Sequence, residues 1–197
     1  MIKWSTILLL LHTAIATPAQ QVKVQLHSIV GYGQHEAFAK KAIVALEQVL
    51  NSEEFKQGVL NGNFIRTEGL SNQQLYDRIM GGHEIQGPGG QDGVVDLRAR
   101  TLRVDGDESR WKDNCEGSTI GIDGNGDGVT AICPNKLAIW ASQNRIDQLA
   151  GHYAHEYMHI LGFSHYNRLR GQAWREKTFV YKIGNLVVRL VKASLQQ

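Results

Sequence analysis

The segment from Arg145 to Leu161, RIDQLAGHYAHEYMHIL, constrains the fold of this chain more than any other. Its large apolar residues recur at spacings of three and four, which is the period of a helix with one buried face. Gly162 follows directly, and glycine readily ends a helix because it accepts a positive φ at little cost. The sequence therefore predicts a helix that packs in the core and ends at Gly162. The apolar stripe consists of Ile146, Leu149, Tyr153, Tyr157 and Ile160.

The N-terminal half predicts a strand followed by helices. Residues 22–33, VKVQLHSIVGYG, alternate apolar and polar side chains and end in glycines, as a strand that enters a turn does. Residues 34–52 place apolar side chains at spacings of three and four and so predict an amphipathic helix. Ser71 stands three positions before Gln74, which is the pattern of a capping box, so a short helix is expected to begin there.

The second half predicts more strands around a long loop. Residues 94–104 alternate well enough for one long strand or two short ones, and Leu137 to Trp140 offers another. The region from Asp105 to Pro134 is rich in Asp, Gly and Asn, so we expect a surface excursion rather than a core element. Strands that alternate with helices in this way indicate an α/β or α+β fold.

Length and charge are those of one ordinary globular domain. The chain has 197 residues, of which 42% are hydrophobic and 20% charged. Its 21 Lys and Arg are mixed along the sequence with 19 Asp and Glu, so no basic patch predicts nucleic-acid binding. We expect a monomer.

The first residues have the pattern of a secretory signal peptide. Lys3 precedes an apolar run from Ile7 to Leu11, and the small residues of Ala14-Ile15-Ala16 follow. We expect cleavage after residue 16, a mature chain of residues 17–197 without a membrane span, and secretion to an extracellular or periplasmic space. The alternative is a buried N-terminal strand or helix.

Two cysteines, Cys115 and Cys133, are present. Export would bring them into an oxidising compartment, where we expect them to form a disulfide. Closing a loop of this size is worth about 3 kcal/mol in the chain-entropy model. The alternative is a pair of free buried thiols.

The residues that indicate a chemical function lie at the end of this helix, in HEYMHILGFSH, residues 155–165. Residues four apart on a helix differ in direction by about 40°, so His155 and His159 can bind one metal ion. Catalytic zinc takes three protein ligands and leaves one position for water, which Glu156 could reach as a base. On a continued helix, His165 would point about 240° away from His159. Because Gly162 can end the helix, the chain can turn back and bring His165 to the same ion. The alternative is an incidental cluster of histidines.

These residues resemble the zinc-binding signature HExxHxxGxxH of the metzincin metalloendopeptidases. The resemblance implies that His155, His159 and His165 bind zinc and that Glu156 is the general base. It also implies a twisted, mostly parallel sheet with a backing helix, an active-site helix and a small C-terminal subdomain, here residues 163–197. Members of the family bind the peptide as an added strand along a sheet edge, for which Leu137–Trp140 and Thr119–Ile122 are candidates.

The chain departs from the family pattern after His165. Metzincins have a methionine in a turn below the zinc, but no methionine follows His165 in this sequence. The segment TFVYKIGN would have to form the turn, with Phe179 or Val180 as its apolar floor. Tyr166 matches no subfamily, so none is assigned. Tyr181 either stabilises the developing oxyanion, as a tyrosine does in some metzincins, or packs in the C-terminal subdomain.

Two other features of the sequence bear on metal binding. His152 lies three positions before His155, and we expect it to face solvent or to support the site rather than to bind the ion. Asp123, Asn125 and Asp127 alternate as calcium ligands do, and either a calcium site or a glycine-rich turn would explain them. A complete EF-hand loop is excluded, because Pro134 stands where its final glutamate would be.

Taken together, the sequence predicts a secreted zinc endopeptidase that acts on proteins or peptides. One alternative is a secreted zinc-binding or adhesion module without proteolytic activity. Another is a zinc hydrolase that cleaves a non-peptide amide, since the chemistry would be the same. A purely structural zinc site would need a fourth protein ligand and no base, so Glu156 favours an enzyme.

Overall fold

A four-stranded sheet lies at the centre of the fold, with its strands in the order β1, β2, β4, β3. In the computed structural model the first three of these run parallel and β3 pairs antiparallel with β4. The strands are β1 Lys23–Val30, β2 Val94–Thr101, β3 Gly121–Asp123 and β4 Val129–Ile132. The structure describes residues 21–85, 90–102, 115–117, 120–123, 128–165 and 171–196. The expected mixed α and β fold with a mostly parallel sheet is confirmed.

Seven α-helices accompany this sheet in the described ranges, together with one short 3-10 turn at Gly33–His35. The long helix α1 packs against β1 and α5, and α5 packs against α7. The helices are α1 Glu36–Leu50, α2 Glu53–Leu60, α3 Asn72–Met80, α4 Pro134–Ser142, α5 Ile146–Ile160, α6 Gln172–Arg175 and α7 Phe179–Ser194.

Several local predictions are confirmed. Residues 22–33 contain β1, residues 34–52 contain α1, and residues 94–104 contain the single strand β2. The capping box of α3 is present: the Ser71 hydroxyl accepts from the Gln74 backbone N–H, and the Gln74 side chain accepts from the Ser71 N–H.

The prediction that residues 105–134 are a surface excursion is wrong for their C-terminal part. β4 lies in this region, and it occupies an interior position of the sheet between β2 and β3. Thr130, Ala131 and Ile132 are buried. The strand is short and lies among Asp and Gly residues, which are typical of loops. It forms because it pairs with residues that are distant in sequence, such as Arg98 with Val129.

The predicted strand Leu137–Trp140 is also wrong, because these residues belong to α4. Pro134 occupies the first turn of this helix, where its fixed φ is favourable and its missing N–H costs nothing. Only Leu137 is fully buried, whereas Ile139 is exposed. The apolar residues therefore follow a weak helical face and not the two faces of a strand.

The predicted helix of residues 145–161 is α5, and polar contacts anchor its buried face on two sides. The Tyr153 hydroxyl donates to the Tyr32 hydroxyl over 3.0 Å, which connects α5 to the segment before α1. The Tyr157 hydroxyl donates to the Glu84 carboxylate over 2.6 Å, which connects α5 to the loop after α3. A buried hydroxyl usually requires such a partner, so these bonds help to determine the rotation of α5.

Helix α7 replaces the turn that we predicted at TFVYKIGN. It crosses α5 closely at two glycines, since a Cβ on Gly184 would lie 3.0 Å from the Gly151 carbonyl oxygen and 3.1 Å from His155 Cβ. Phe179 and Val180 are fully buried, so the expected apolar floor exists but belongs to a helix. Apolar residues at helical spacing from Phe179 to Val191 could have revealed this helix in the sequence.

Cys115 and Cys133 form a disulfide, as predicted, with a sequence separation of 18. The bridge is buried and packs with Leu102 and Ala131 at the end of the sheet. An internal disulfide is consistent with an oxidising, extracellular location. The predicted signal peptide lies outside the described residues. None of the helices in the described ranges has the length and apolar character needed to cross a membrane.

Candidate metal centre

Three histidines converge at the C-terminal end of α5. Each of His155, His159 and His165 offers one ring nitrogen, and these nitrogens all lie within 4.8 Å of one another. The ring centroids are 5.3 Å apart for His155 and His159, 5.1 Å for His155 and His165, and 4.8 Å for His159 and His165. All three residues are partly exposed, so the cluster is accessible from solvent.

Gly162 brings the third histidine to the other two. Its φ is +92°, and the chain leaves α5 at this residue. The Phe163 N–H donates to the Met158 carbonyl, and the Gly162 N–H donates to the His159 carbonyl. These two hydrogen bonds form a Schellman motif, in which a left-handed residue reverses the chain at a helix end. The reversal places His165 beside His155 and His159, as the sequence predicts.

The cluster fits a zinc ion in spacing and in chemistry. Nitrogens that bind one tetrahedral zinc at about 2.1 Å are about 3.4 Å apart, so small ring rotations would bring the three into place. Loss of hydration holds the pKa of His155 well below its usual value, and His159 and His165 add to the shift. His155 is therefore neutral at neutral pH, which is the form that binds metal.

One hydrogen bond orients His159. Its Nδ1 lies 2.8 Å from the Phe163 carbonyl oxygen, to which it donates. The proton on Nδ1 leaves Nε2 with a free electron pair for an ion, which is the usual arrangement of a histidine ligand. The turn at Gly162 thus positions His159 as well as His165.

Glu156 lies beside the cluster and is only 4% exposed. His152, one turn earlier on α5, is also buried, and its Nδ1 lies 3.5 Å from Glu156 Oε1. Of the two positions expected for His152, the structure excludes the solvent-facing one and has the supporting one beside Glu156. Among the described residues, His152 belongs to neither group of side chains that could hold a metal ion.

Tyr181 lies against two of the histidines, and two phenylalanines pack against each other, one after Gly162 and one at the start of α7. The Tyr181 ring centroid is 4.6 Å from that of His155 and 4.9 Å from that of His165. Phe163, which immediately follows Gly162, packs edge-on against Phe179 with centroids 4.6 Å apart. A residue of α7 therefore contacts the cluster directly.

The edge strand β3 passes above α5. A Cβ on Gly121 would lie within 2.9 Å of His152 Nε2, so the strand and the helix are in close contact. Gly121 and Ile122 belong to one of the two segments that we considered as peptide-binding edges, whose first residue, Thr119, lies outside the described residues. The other segment is excluded, because Leu137–Trp140 is helical.

Three predicted residues lie outside the described ranges: Asn125 and Asp127 of the calcium hypothesis, and Tyr166. Asp123 is the last residue of β3. The calcium site therefore stays a prediction.

Sequence reasoning missed a group of three carboxylates behind α5. Oxygens of Glu84, Asp92 and Asp96 lie within 4.8 Å of one another. Asp96 is buried and pairs with His27. Burial raises the pKa of Glu84, and the charge of Asp96 adds to the shift, while the hydrogen bond from Tyr157 opposes it. No sequence motif identifies this group, because its residues lie in a loop and a strand without a characteristic spacing.

Comparisons of the chain with protein-family models, with curated proteins and with solved structures give no match.

Proposed function

We propose that this protein is a secreted zinc-dependent endopeptidase with a metzincin-like fold. The observation that carries the proposal is the convergence of His155, His159 and His165 beside the buried Glu156. Three neutral nitrogen ligands with an adjacent carboxylate are the donor set of a catalytic zinc site, which keeps a position for water. The internal disulfide supports secretion.

In this proposal the three histidines hold the zinc. When bound, zinc would lower the pKa of its water to about 7 and would polarise the scissile carbonyl. The Nδ1 hydrogen bond of His159 fixes the tautomer that presents Nε2.

Glu156 moves the proton. Its carboxylate accepts a proton from the attacking water as the water oxygen bonds to the carbonyl carbon, and then gives that proton to the amine nitrogen as the C–N bond breaks. Burial of Glu156 supports this role, because a carboxylate shielded from bulk water keeps its proton for the leaving group. One water is consumed, and its second proton also goes to the amine, so the products are a carboxylate and an ammonium group.

The substrate is an extended peptide in this proposal. Strand β3 is the edge strand of the sheet and contacts α5. A peptide that pairs with its outer edge would therefore run across the histidines. Tyr181 is then the candidate donor to the developing oxyanion, since its ring contacts two of the histidines.

One experiment tests the proposal. Zinc content is measured for the purified parent and for Glu156→Gln, and both are incubated with denatured protein and a mixed peptide library. We expect about one zinc in each and cleavage by the parent alone, because the substitution removes the base and leaves the ligands. Glu54→Gln is the matched control, since Glu54 is exposed on α2.

The outcomes separate the alternatives. Absence of zinc from both proteins would refute the metal centre. Zinc without cleavage of any peptide by the parent would favour a zinc-binding or adhesion module. Cleavage of a non-peptide amide, such as a cell-wall cross-link, with no cleavage of peptides would favour the other hydrolase. Equal cleavage by parent and Glu156→Gln would refute the role of Glu156.

A further inference from the structure

His152 occupies a buried position between the active-site helix and the edge strand. It is 7% exposed, and its ring lies edge-on to Trp140 with centroids 6.4 Å apart. A Cβ on Gly121 would lie 2.6 Å from His152 Cε1 and 2.9 Å from Nε2. The ring therefore fits only because residue 121 of the edge strand has no side chain.

The two ring nitrogens of His152 have different surroundings. Nδ1 faces Glu156, 3.5 Å from its Oε1, whereas the buried Nε2 makes no hydrogen bond of normal geometry in the described part of the chain. Burial lowers the pKa of His152 to about 4, and a hydrogen bond with the Ala131 backbone opposes the shift. The Ala131 backbone therefore competes with Glu156 for the ring proton. The ring is thus neutral at neutral pH and carries one proton. That proton gains a carboxylate acceptor when it is on Nδ1.

We propose that His152 is a positioning residue, which donates from Nδ1 to Glu156 and holds the carboxylate in the orientation in which it serves as the base. This inference rests on the proposed function of Glu156. A carboxylate on a flexible side chain can rotate away from a reacting water, and a buried donor one helical turn away limits that rotation. The spacing of 3.5 Å is long for a hydrogen bond, as is common in catalytic groups before substrate binds.

Two amide variants separate this role from a structural one. Asparagine places its amide nitrogen near the position of histidine Nδ1, and glutamine places it near that of Nε2. We therefore expect His152→Asn to keep kcat within about threefold of the parent and His152→Gln to lose about 10–100-fold in kcat, with KM and bound zinc unchanged in both. Expressing kcat per bound zinc removes the effect of any unfolded fraction. Equal kcat in the two variants would overturn the proposal.

A second measurement does not depend on activity. In protein labelled with ¹⁵N-histidine, the nitrogen shifts of His152 report which nitrogen carries the proton, and His152→Asn identifies the signal. We expect the proton on Nδ1, and a proton on Nε2 would overturn the proposal. If the parent binds zinc and cleaves peptides while Asn and Gln variants are alike, only the role of His152 fails. If the parent does not cleave, the proposed function fails, whatever the nitrogen shifts.

Discussion

The Tyr181 ring lies edge-on to His155, with centroids 4.6 Å apart and planes inclined by 88°. This contact joins α7 to the face of α5 that carries His155 and puts a phenol beside the proposed reaction centre. The same ring also contacts His165, with centroids 4.9 Å apart.

The contact predicts the effect of Tyr181→Phe. If the phenol donates to the oxyanion, its removal lowers kcat about 100-fold, because such a donor acts mainly in the transition state. The ring remains, so bound zinc and thermal stability should not change. Steady-state kinetics and zinc analysis check this, with Tyr76→Phe on α3 as control. An active Tyr181→Phe variant would assign Tyr181 to packing alone.

Gly162→Ala should weaken both the fold and the zinc site. The φ of +92° is unfavourable for any residue with a Cβ, so we expect a loss of about 1–2 kcal/mol in the free energy of unfolding. The strained turn should also displace His165 and lower zinc affinity. Urea unfolding and zinc titration measure the two effects. The control is Gly171→Ala, where a Cβ meets nothing within 4 Å. Zinc affinity equal to the parent's would contradict the role of the turn.

Gly151→Ala should disturb the packing of α5 against α7. The added Cβ would lie 2.3 Å from Val188 Cγ2 and 2.8 Å from the Gly184 carbonyl oxygen. Overpacking of this kind costs about 1–3 kcal/mol, which exceeds the gain of about 1 kcal/mol or less in helix propensity. We expect a lower melting temperature and weaker zinc binding, since His155 is on the same helix. Asn185→Ala, on the exposed side of α7, provides the comparison.

Replacing both Cys115 and Cys133 with serine should lower the free energy of unfolding by about 3 kcal/mol. The bridge closes a loop that contains β3 and β4, so its loss gives the unfolded chain more freedom. Urea unfolding of the variant and of the parent, with and without reductant, measures the difference. Identical stability of reduced and oxidised parent would contradict the expectation.

Glu84→Gln should stabilise the protein in a pH-dependent way. Burial raises the pKa of Glu84 in the folded protein, so the folded state favours the protonated form. Stability from this group is therefore complete below the ordinary carboxyl pKa and is lost as the pH rises through the folded pKa. Glutamine does not titrate and can still accept from Tyr157. The variant should melt higher than the parent at pH 7–8 and similarly near pH 4.

Melting curves across this pH range provide the test. Glu54→Gln is a suitable control, since its carboxylate is exposed and the substitution should not add a pH-dependent difference. A Glu84→Gln variant that melts below the parent at pH 8 would show that the carboxylate is stabilising there.

Elements with a strong local pattern were predictable from the sequence. The spacing in α5, the glycine at its end and the capping box at Ser71 act within a few residues, where backbone geometry alone decides the outcome. The three histidines and Glu156 belong to this class. Their convergence needs only one helix and one turn, both of which lie within eleven residues of sequence.

The sequence by itself therefore determined the helix, its end and the spacing that brings the three histidines together beside Glu156. Only the tertiary structure decided what surrounds them. Strand β4 was misjudged because its pairing partners are distant in sequence, and helix α4 because its apolar face is weak. The packing of α7 on α5 was missed because it depends on contacts such as Gly184 to Gly151, which no local pattern encodes. The sequence left two positions open for His152 for the same reason: its burial depends on a glycine in β3, thirty-one residues earlier in the chain.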